Sequence, residues 1–325
     1  MRKFYAFLLT MLLAAGVLAG CGESAEQPKE EKKVEEGQNA GGEEEAAFPV
    51  TIKDALDNEI VIESKPERIV SMIPSNTEIA FGLGLGEEVV GVSDFDNYPP
   101  EATEKEKIGG MEFNVEKIIS LNPDLVLAHA SSAHNSEAGL QQLRDAGVTV
   151  LVVNDAKSFD QVFESIVMVG TAAGEKDNAE KLVSDMKSKL EEIKTKAQGI
   201  KEEDRKSVFV EVSPAPDIYT AGTKTFMDEM LSAINAENII TEEGWPKMDP
   251  EAIIERNPDV IITTHGYYTE DAVGNVMGRD GWQDITAVKN KQVADVDSDM
   301  VTRSGPRIIE GVEELAKAVY PDVFK

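Results

Sequence analysis

Cysteine and basic residues are both scarce in this chain. A single cysteine, Cys21, stands among 325 residues, so no intramolecular disulfide can form. Lysine and arginine number 32 against 61 aspartates and glutamates, which gives a formal net charge of −29 at pH 7. Nucleic acid and anionic membrane surfaces attract proteins through basic patches. The composition therefore excludes nucleic acid as a partner.

The chain also lacks an apolar run long enough to cross a membrane. The longest one extends from Phe4 to Leu18, follows Arg2 and Lys3, and gives way at once to polar sequence. A spanning helix needs about 20 apolar residues, whereas a secretory leader needs fewer and begins with positive charge. Residues 1–20 are therefore predicted to be a signal peptide.

Motifs that mark enzymes are missing as well. No Ser-His-Asp order, phosphate-binding glycine loop or paired His-Glu motif occurs, and Gly82–Gly86 lacks the glycine spacing of a dinucleotide site. The three histidines, His129, His134 and His265, show no tight ligand spacing, so zinc or manganese binding is the least favoured alternative. The sequence predicts no enzyme, no catalytic residue, no resident cofactor and no dedicated metal site.

The only cysteine lies at the end of the predicted leader. Leu18-Ala19-Gly20-Cys21 resembles the lipobox of bacterial lipoproteins, in which cleavage leaves a lipid-bearing cysteine at the new N-terminus. Residues 22–47 contain nine acidic and three basic side chains and almost no apolar ones, a composition that cannot form a core. Residues 21–47 are predicted to be a lipidated cysteine and a flexible acidic tether on the extracytoplasmic face of the cell membrane.

One pattern occurs twice in the rest of the chain. Phe113–Leu127 reads FNVEKIISLNPDLVL and Met248–Ile262 reads MDPEAIIERNPDVII. Each copy predicts a short amphipathic helix, a turn at Asn-Pro-Asp and a strand buried on both faces. Glu116 and Glu251 fall in the first turns of these helices, where the helix dipole favours a carboxylate. The two glutamates are either helix-end charges or equivalent contacts for a partner with two-fold symmetry.

Strands alternate with helices along the whole folded part, which indicates parallel sheets. The predicted fold class is α/β, with two Rossmann-like lobes joined by a long backbone helix and a ligand cleft between the lobes. The predicted boundaries are 48–157 for the N-terminal lobe, 158–200 for the linking helix and 201–325 for the C-terminal lobe.

Several motifs carry a resemblance to a known family. They are SMIPSNTEIAFGLGLGEEVVGVS at Ser71–Ser93, the Asp-Asn-Tyr-Pro-Pro loop, the doubled Asn-Pro-Asp units, Thr220-Ala221-Gly222 and Arg303-Ser304-Gly305-Pro306-Arg307. In this order they resemble the helical-backbone (class III) substrate-binding proteins of ABC importers for vitamin B12, iron-siderophores and haem. The similarity covers Val50 to the C-terminus and is greatest to vitamin B12 (cobalamin)-binding proteins.

The resemblance implies a non-catalytic protein that captures a ligand and delivers it to a permease dimer with a cytoplasmic ATPase. Glutamates at the positions of Glu116 and Glu251 dock onto permease arginines in that family. Motif positions further imply four ligand-contacting residues, Tyr98, Tyr219, Trp245 and Arg303, with Asn76 and Phe113 as their neighbours. His129 is a further candidate contact, because it follows the strand of the first repeat.

The implied ligand is cobalamin or another metal chelate. His129 and Met300 stand where larger aromatic residues are expected in a B12 binder. An iron-siderophore or haem therefore stays open as the alternative, with His129, His265 or Tyr98 as the candidate axial ligand.

Overall fold

The computed structural model describes residues 48–325. The predicted leader, Cys21 and the tether lie outside the described residues. Within 48–325, every helix is too short or too polar to cross a bilayer.

The described part begins with a hairpin. Strands β1 (Val50–Lys53) and β2 (Glu59–Ile62) pair antiparallel, with Val50 opposite Ile62. Asp57 takes a left-handed conformation at φ 65°, which a short polar side chain tolerates in a tight turn.

The N-terminal lobe contains a five-stranded parallel sheet in the order β5-β4-β3-β6-β7. Its strands are β3 (Ile69–Ser71), β4 (Val89–Val92), β5 (Glu106–Lys107), β6 (Leu125–His129) and β7 (Thr149–Val153). Its helices are α1 (Pro74–Gly82), α2 (Val115–Ser120), α3 (Ala130–Ala133) and α4 (Glu137–Asp145). Leu125 and Leu127 pack on one face of the sheet and Val126 on the other, so β6 is apolar throughout because both of its faces are buried.

Two helices, rather than the single one predicted for 158–200, link the lobes. They are α5 (Phe159–Ala172) and the 23-residue α6 (Lys176–Gln198). Gly174 lies between them at φ 74°, a left-handed conformation that ends a helix and that glycine adopts at little cost. The chain reverses there, and α6 packs against α5 and against two helices of the C-terminal lobe, α7 (Phe226–Ala233) and α12 (Ile308–Val319).

The C-terminal lobe contains the second sheet. Its strands are β8 (Ser207–Ser213), β9 (Tyr219–Thr220), β10 (Glu237–Asn238), β11 (Val260–Thr263) and β12 (Val293–Asp295). Its helices are α7 (Phe226–Ala233), α8 (Pro250–Arg256), α9 (Ala272–Met277), α10 (Thr286–Lys289), α11 (Ser298–Thr302) and α12 (Ile308–Val319). Four strands run parallel in the order β10-β8-β11-β12, while the short β9 pairs antiparallel with β8, so this sheet is mixed rather than wholly parallel.

One hydrophobic cluster runs through both lobes. It joins Ile69 and Leu125 of the first sheet to Val208 and Ile262 of the second, with the inner faces of α5 and α6 between them. A shared core of this kind resists separation of the lobes, because opening them would expose apolar surface. The two-lobed α/β fold class predicted from the sequence is confirmed.

Candidate ligand-binding cleft

A cleft of about 460 Å³ lies between the lobes. Most of its walls are loops that follow the carboxyl ends of strands, the usual position of ligand sites in open parallel sheets. The N-terminal lobe contributes Ile73, Pro74, Ser75, His129, Ser131, Asp155, Ala156 and Lys157. The C-terminal lobe contributes Lys224, Thr225, Phe226, Met227, Glu243, Gly244, Trp245, Val301, Thr302, Arg303 and Ser304.

Trp245 is the more exposed of the two aromatic side chains in the cleft lining, since Phe226 is buried. Trp245 lies between Gly244, at φ 79°, and Pro246, and this loop holds the indole away from the C-terminal core. Trp245 is 52% exposed and lines the cleft. An exposed ring at a cleft wall can stack on a flat ligand. Trp245 therefore lines the cleft, and its contact with ligand stays a prediction.

His129 ends β6 and lines the same cleft. It is 5% exposed, and its Nδ1 lies 2.8 Å from Oγ of Ser131. Burial lowers the pKa of His129, while the nearby Asp155 opposes the shift. The imidazole is therefore neutral at physiological pH, the form that can ligate a metal.

Two lysines of the cleft were not anticipated from the sequence. Lys157 follows β7, and Lys224, at φ 62°, precedes α7. Lys224 is paired, since its Nζ lies 2.7 Å from Glu243 Oε2. Asp155 lies two residues before Lys157 and lines the same wall. Cations and carboxylates thus occur together around the cleft.

Arg303 reaches the cleft floor from the C-terminal lobe but is held by the N-terminal lobe. Its Nη1 donates to Glu78 Oε1 at 3.0 Å and to Asn97 Oδ1 at 2.7 Å. Glu78 also accepts two hydrogen bonds from Arg307, at 2.9 Å from Nε and 2.6 Å from Nη2. Since Glu78 is 3% exposed, this ion cluster is a buried link between the lobes.

Tyr98 lies in a second recess of about 500 Å³ between α1, α6 and α12. The guanidinium carbon of Arg307 lies 3.9 Å from the centroid of its ring, a cation–π contact. Tyr98 thus supports the arginine cluster beneath the cleft instead of lining the cleft itself.

Three other predicted ligand contacts also lie outside the cleft lining. Asn76 is fully buried, and its Nδ2 donates to the backbone oxygens of Leu127 and Ala128 at 3.2 and 3.0 Å, which ties α1 to β6. Phe113 packs into the N-terminal core, and Tyr219 is exposed on β9. Motif position alone does not fix side-chain direction, which is why these positions differ from those expected. Their contact with ligand stays a prediction.

The remaining histidines lie away from the cleft. His265 is buried in the C-terminal lobe, with Nε2 3.1 Å from Glu211 Oε1, and His134 is exposed beyond α3. Among residues 48–325, no group of three or more His, Cys, Asp and Glu side chains is arranged to hold a metal ion.

Glu116 and Glu251 lie in the first turns of α2 and α8, as predicted. Both are exposed, and no ion pair or hydrogen bond of either side chain occurs within the described chain. The capping bond at α2 comes from Asn114, which accepts from the backbone nitrogen of Lys117 at 2.9 Å. Neither glutamate side chain makes a capping hydrogen bond, so both carboxylates are available to a partner.

Comparison with known proteins identifies the family. The periplasmic binding protein family model matches residues 69–300, which include both five-stranded sheets and most of the cleft lining. The chain belongs to the periplasmic binding protein family.

Two curated relatives narrow this assignment. The chain is 51% identical over 326 residues to YvrC of Bacillus subtilis (strain 168), described as an uncharacterized ABC transporter substrate-binding lipoprotein, with 100% of both chains covered. It is 30% identical over 330 residues to a cobalamin-binding protein of Halobacterium salinarum (strain ATCC 29341 / DSM 671 / R1), covering 98% of this chain and 85% of that one.

Solved structures with this fold have differing ligands. A possible iron-binding periplasmic solute-binding protein of Staphylococcus epidermidis ATCC 12228 aligns with TM-score 0.72 and 39% identity, covering 79% of this chain and 100% of that one. The haem-binding RhuT of Roseiflexus sp. RS-1 gives TM-score 0.70 and 28% identity, covering 80% and 99%. The vitamin B12-binding BtuF of Vibrio cholerae gives TM-score 0.65 and 29% identity, covering 78% and 96%.

This periplasmic binding protein is thus an ABC transporter substrate-binding protein of the B12, iron and haem group. Members of the group are substrate-binding components that work with a permease and an ATPase.

Proposed function

We propose that this protein captures cobalamin outside the cytoplasm and delivers it to the permease of an ABC importer. Cobalamin combines a flat corrin macrocycle with a rim of amide groups. A site for it needs an aromatic surface and polar side chains without a large excess of charge. Trp245 supplies the aromatic surface.

The observation that carries the proposal is the charge balance of the cleft. Arg303 is paired with Glu78 and Asp299, and Lys224 with Glu243. The remaining charges of the lining, Asp155 and Lys157, are opposite in sign. A balanced cleft has no net attraction for the carboxylates of haem or the anionic groups of catecholate siderophores, whereas an amide rim can bond to both kinds of side chain.

A haem or iron-siderophore ligand is the second candidate, and His129 favours it. A neutral imidazole at the cleft can serve as an axial ligand to iron. Cobalt in a corrinoid accepts the same kind of ligand, so His129 is compatible with the first candidate too. Zinc or manganese binding is less favoured, since histidine is represented in the cleft lining by His129 alone.

The proposal extends to the membrane and the permease. Cys21 would carry the lipid that anchors the protein to the extracytoplasmic face, and residues 22–47 would give the folded part reach. Glu116 and Glu251 would each contact arginines of one permease subunit, because charge-assisted hydrogen bonds provide both orientation and rapid association. The protein would hold cobalamin as cargo, with no resident cofactor and no catalytic step.

Uptake by cells tests this function. A strain without its own copy of the protein receives either the full chain or Trp245→Ala, and labelled cyanocobalamin is followed into the cells. The full chain should restore uptake at nanomolar cobalamin and the variant should restore less. Normal uptake without any copy, or restoration of haem-dependent growth alone, would contradict the proposal.

A further inference from the structure

The buried ion cluster under the cleft connects two segments that are distant in sequence. Glu78 comes from α1 of the N-terminal lobe, whereas Arg303 and Arg307 flank the short turn between α11 and α12. Asp299 lies one turn before Arg303 and contributes the second carboxylate, 2.9 Å from Nη2. Two arginines therefore face two carboxylates, and the cluster is neutral as a whole.

The terminal nitrogens of Arg303 are all directed at oxygens of the protein. Nη1 donates to Glu78 and Asn97, and Nη2 donates to the backbone oxygen of Phe95 at 3.4 Å besides pairing with Asp299. Asn97 is itself fixed, because its Nδ2 donates to Asp299 Oδ2 at 2.8 Å. Arg303 lines the cleft, yet both of its terminal nitrogens already donate to the protein.

From this geometry, and resting on the proposed function, we propose that Glu78, with Asp299, determines ligand specificity by neutralising Arg303. The pairing makes the cleft select uncharged, amide-bearing tetrapyrroles over carboxylate-bearing ones of the same shape. Glu78 acts as a positioning residue, since it sets the charge and direction of Arg303 from below the cleft floor.

The physical reason is competition for one guanidinium. A ligand carboxylate could form a two-pronged charge-assisted pair with the terminal nitrogens of Arg303 only by displacing Glu78 or Asp299. Displacing Glu78 would break its hydrogen bond from Arg303 and leave the buried carboxylate with only the two hydrogen bonds from Arg307, which is unfavourable. An amide oxygen makes no such demand, because it can accept a shared hydrogen bond without carrying a charge that Glu78 repels.

Two corrinoids of the same framework test the inference. Dicyanocobinamide carries an amide rim, and dicyanocobyrinic acid carries carboxylates at the equivalent positions. Binding of each to the chain from Gly22 onward is measured by calorimetry for the unchanged protein, Glu78→Gln, Asp299→Asn and the control Glu101→Gln. Glu101 is exposed, lines the second recess, and gives the same change in net charge away from Arg303.

The unchanged protein should prefer the amide ligand. Glu78→Gln and Asp299→Asn should each shift the ratio of dissociation constants toward the carboxylate ligand by roughly tenfold, as one freed charge-assisted bond provides. This gain should shrink at high salt, and Glu101→Gln should leave the ratio almost unchanged. If Glu78 had only a structural role, Glu78→Gln would weaken the binding of both ligands equally and leave the ratio of their dissociation constants unchanged.

Asp299→Asn keeps the test decisive if Glu78→Gln fails to fold, because the Asp299 side chain is 33% exposed. An unchanged ratio in a folded variant, or a preference of the unchanged protein for the carboxylate ligand, would overturn the inference. If the unchanged protein binds neither corrinoid, the cobalamin assignment fails. The role of Glu78 is then tested with haemin and its propionate diamide, from the ratio of their dissociation constants in the same variants.

Discussion

Replacing Trp245 by alanine should weaken ligand binding much more than it weakens the fold. Trp245 is 52% exposed and lines the cleft, so its ring has little of its own protein to pack against. If a ligand covers on the order of 100 Å² of the ring, the lost burial is about 2.5 kcal/mol at 25 cal/mol/Å². The dissociation constant should then rise about 70-fold.

The chain provides a matched control for this substitution. Its other tryptophan, Trp282, is fully buried in the C-terminal lobe, with the guanidinium carbon of Arg279 4.1 Å from the ring centroid. Trp282→Ala should lower the free energy of unfolding by about 3–5 kcal/mol and leave the affinity of the folded fraction intact. Trp245→Ala should lower it by about 1 kcal/mol or less, as usual for an exposed side chain.

Calorimetric titration with cyanocobalamin gives the affinity, and urea denaturation gives the free energy of unfolding. If Trp245→Ala lowers the denaturation midpoint as far as Trp282→Ala does and binds cobalamin normally, the indole is a packing residue. The stacking argument would then be wrong.

Three further predictions concern the permease, the pH dependence and the lobes. The double variant Glu116→Ala, Glu251→Ala should bind ligand normally yet lose uptake in cells, and each single variant should be partly active. Normal uptake by the double variant would show that the two glutamates are only helix-end charges, which stabilise the fold by well under about 1 kcal/mol each. Burial lowers the pKa of His129 in the folded protein, so the unfolded chain binds more protons just below pH ~6.5. The free energy of unfolding should therefore be highest above that pH and should decline as the pH falls through the folded pKa. Urea titrations should show that the free energy of unfolding falls less between pH 7.5 and 5.5 for His129→Gln than for the unchanged protein. An equal fall in both proteins would contradict the attribution of this pH dependence to His129. Small-angle scattering should show almost no change in the radius of gyration when ligand is added, since a shared core and the Glu78–Arg307 contacts hold the lobes together. A large decrease in the radius of gyration would show that the lobes move.

The fold followed from local patterns to a large extent. Pro74 at the start of α1, the apolar run of β11 and the repeated Asn-Pro-Asp turns each determine their element by short-range sterics or two-sided burial. The prediction of a single linking helix was wrong at Gly174, where a left-handed turn separates α5 from α6.

The cleft was less predictable. His129 could be placed there because it ends the strand of the first repeat, whereas Trp245 was placed there by its motif position in the resembled family. Lys224 could not, since its position depends on a left-handed backbone conformation that lysine rarely adopts. The pairing of Glu78 with Arg303 joins residues 225 positions apart, and only the packed lobes bring them together.

Equilibrium titration shows which of the candidate ligands the protein binds. The chain from Gly22 onward, freed of any bound ligand, is titrated with cyanocobalamin, haemin and a ferric hydroxamate under identical conditions. We expect saturable one-to-one binding of cyanocobalamin, with haemin and the hydroxamate binding at least about tenfold more weakly. Tight binding of haemin or the hydroxamate without measurable binding of cyanocobalamin would contradict this expectation.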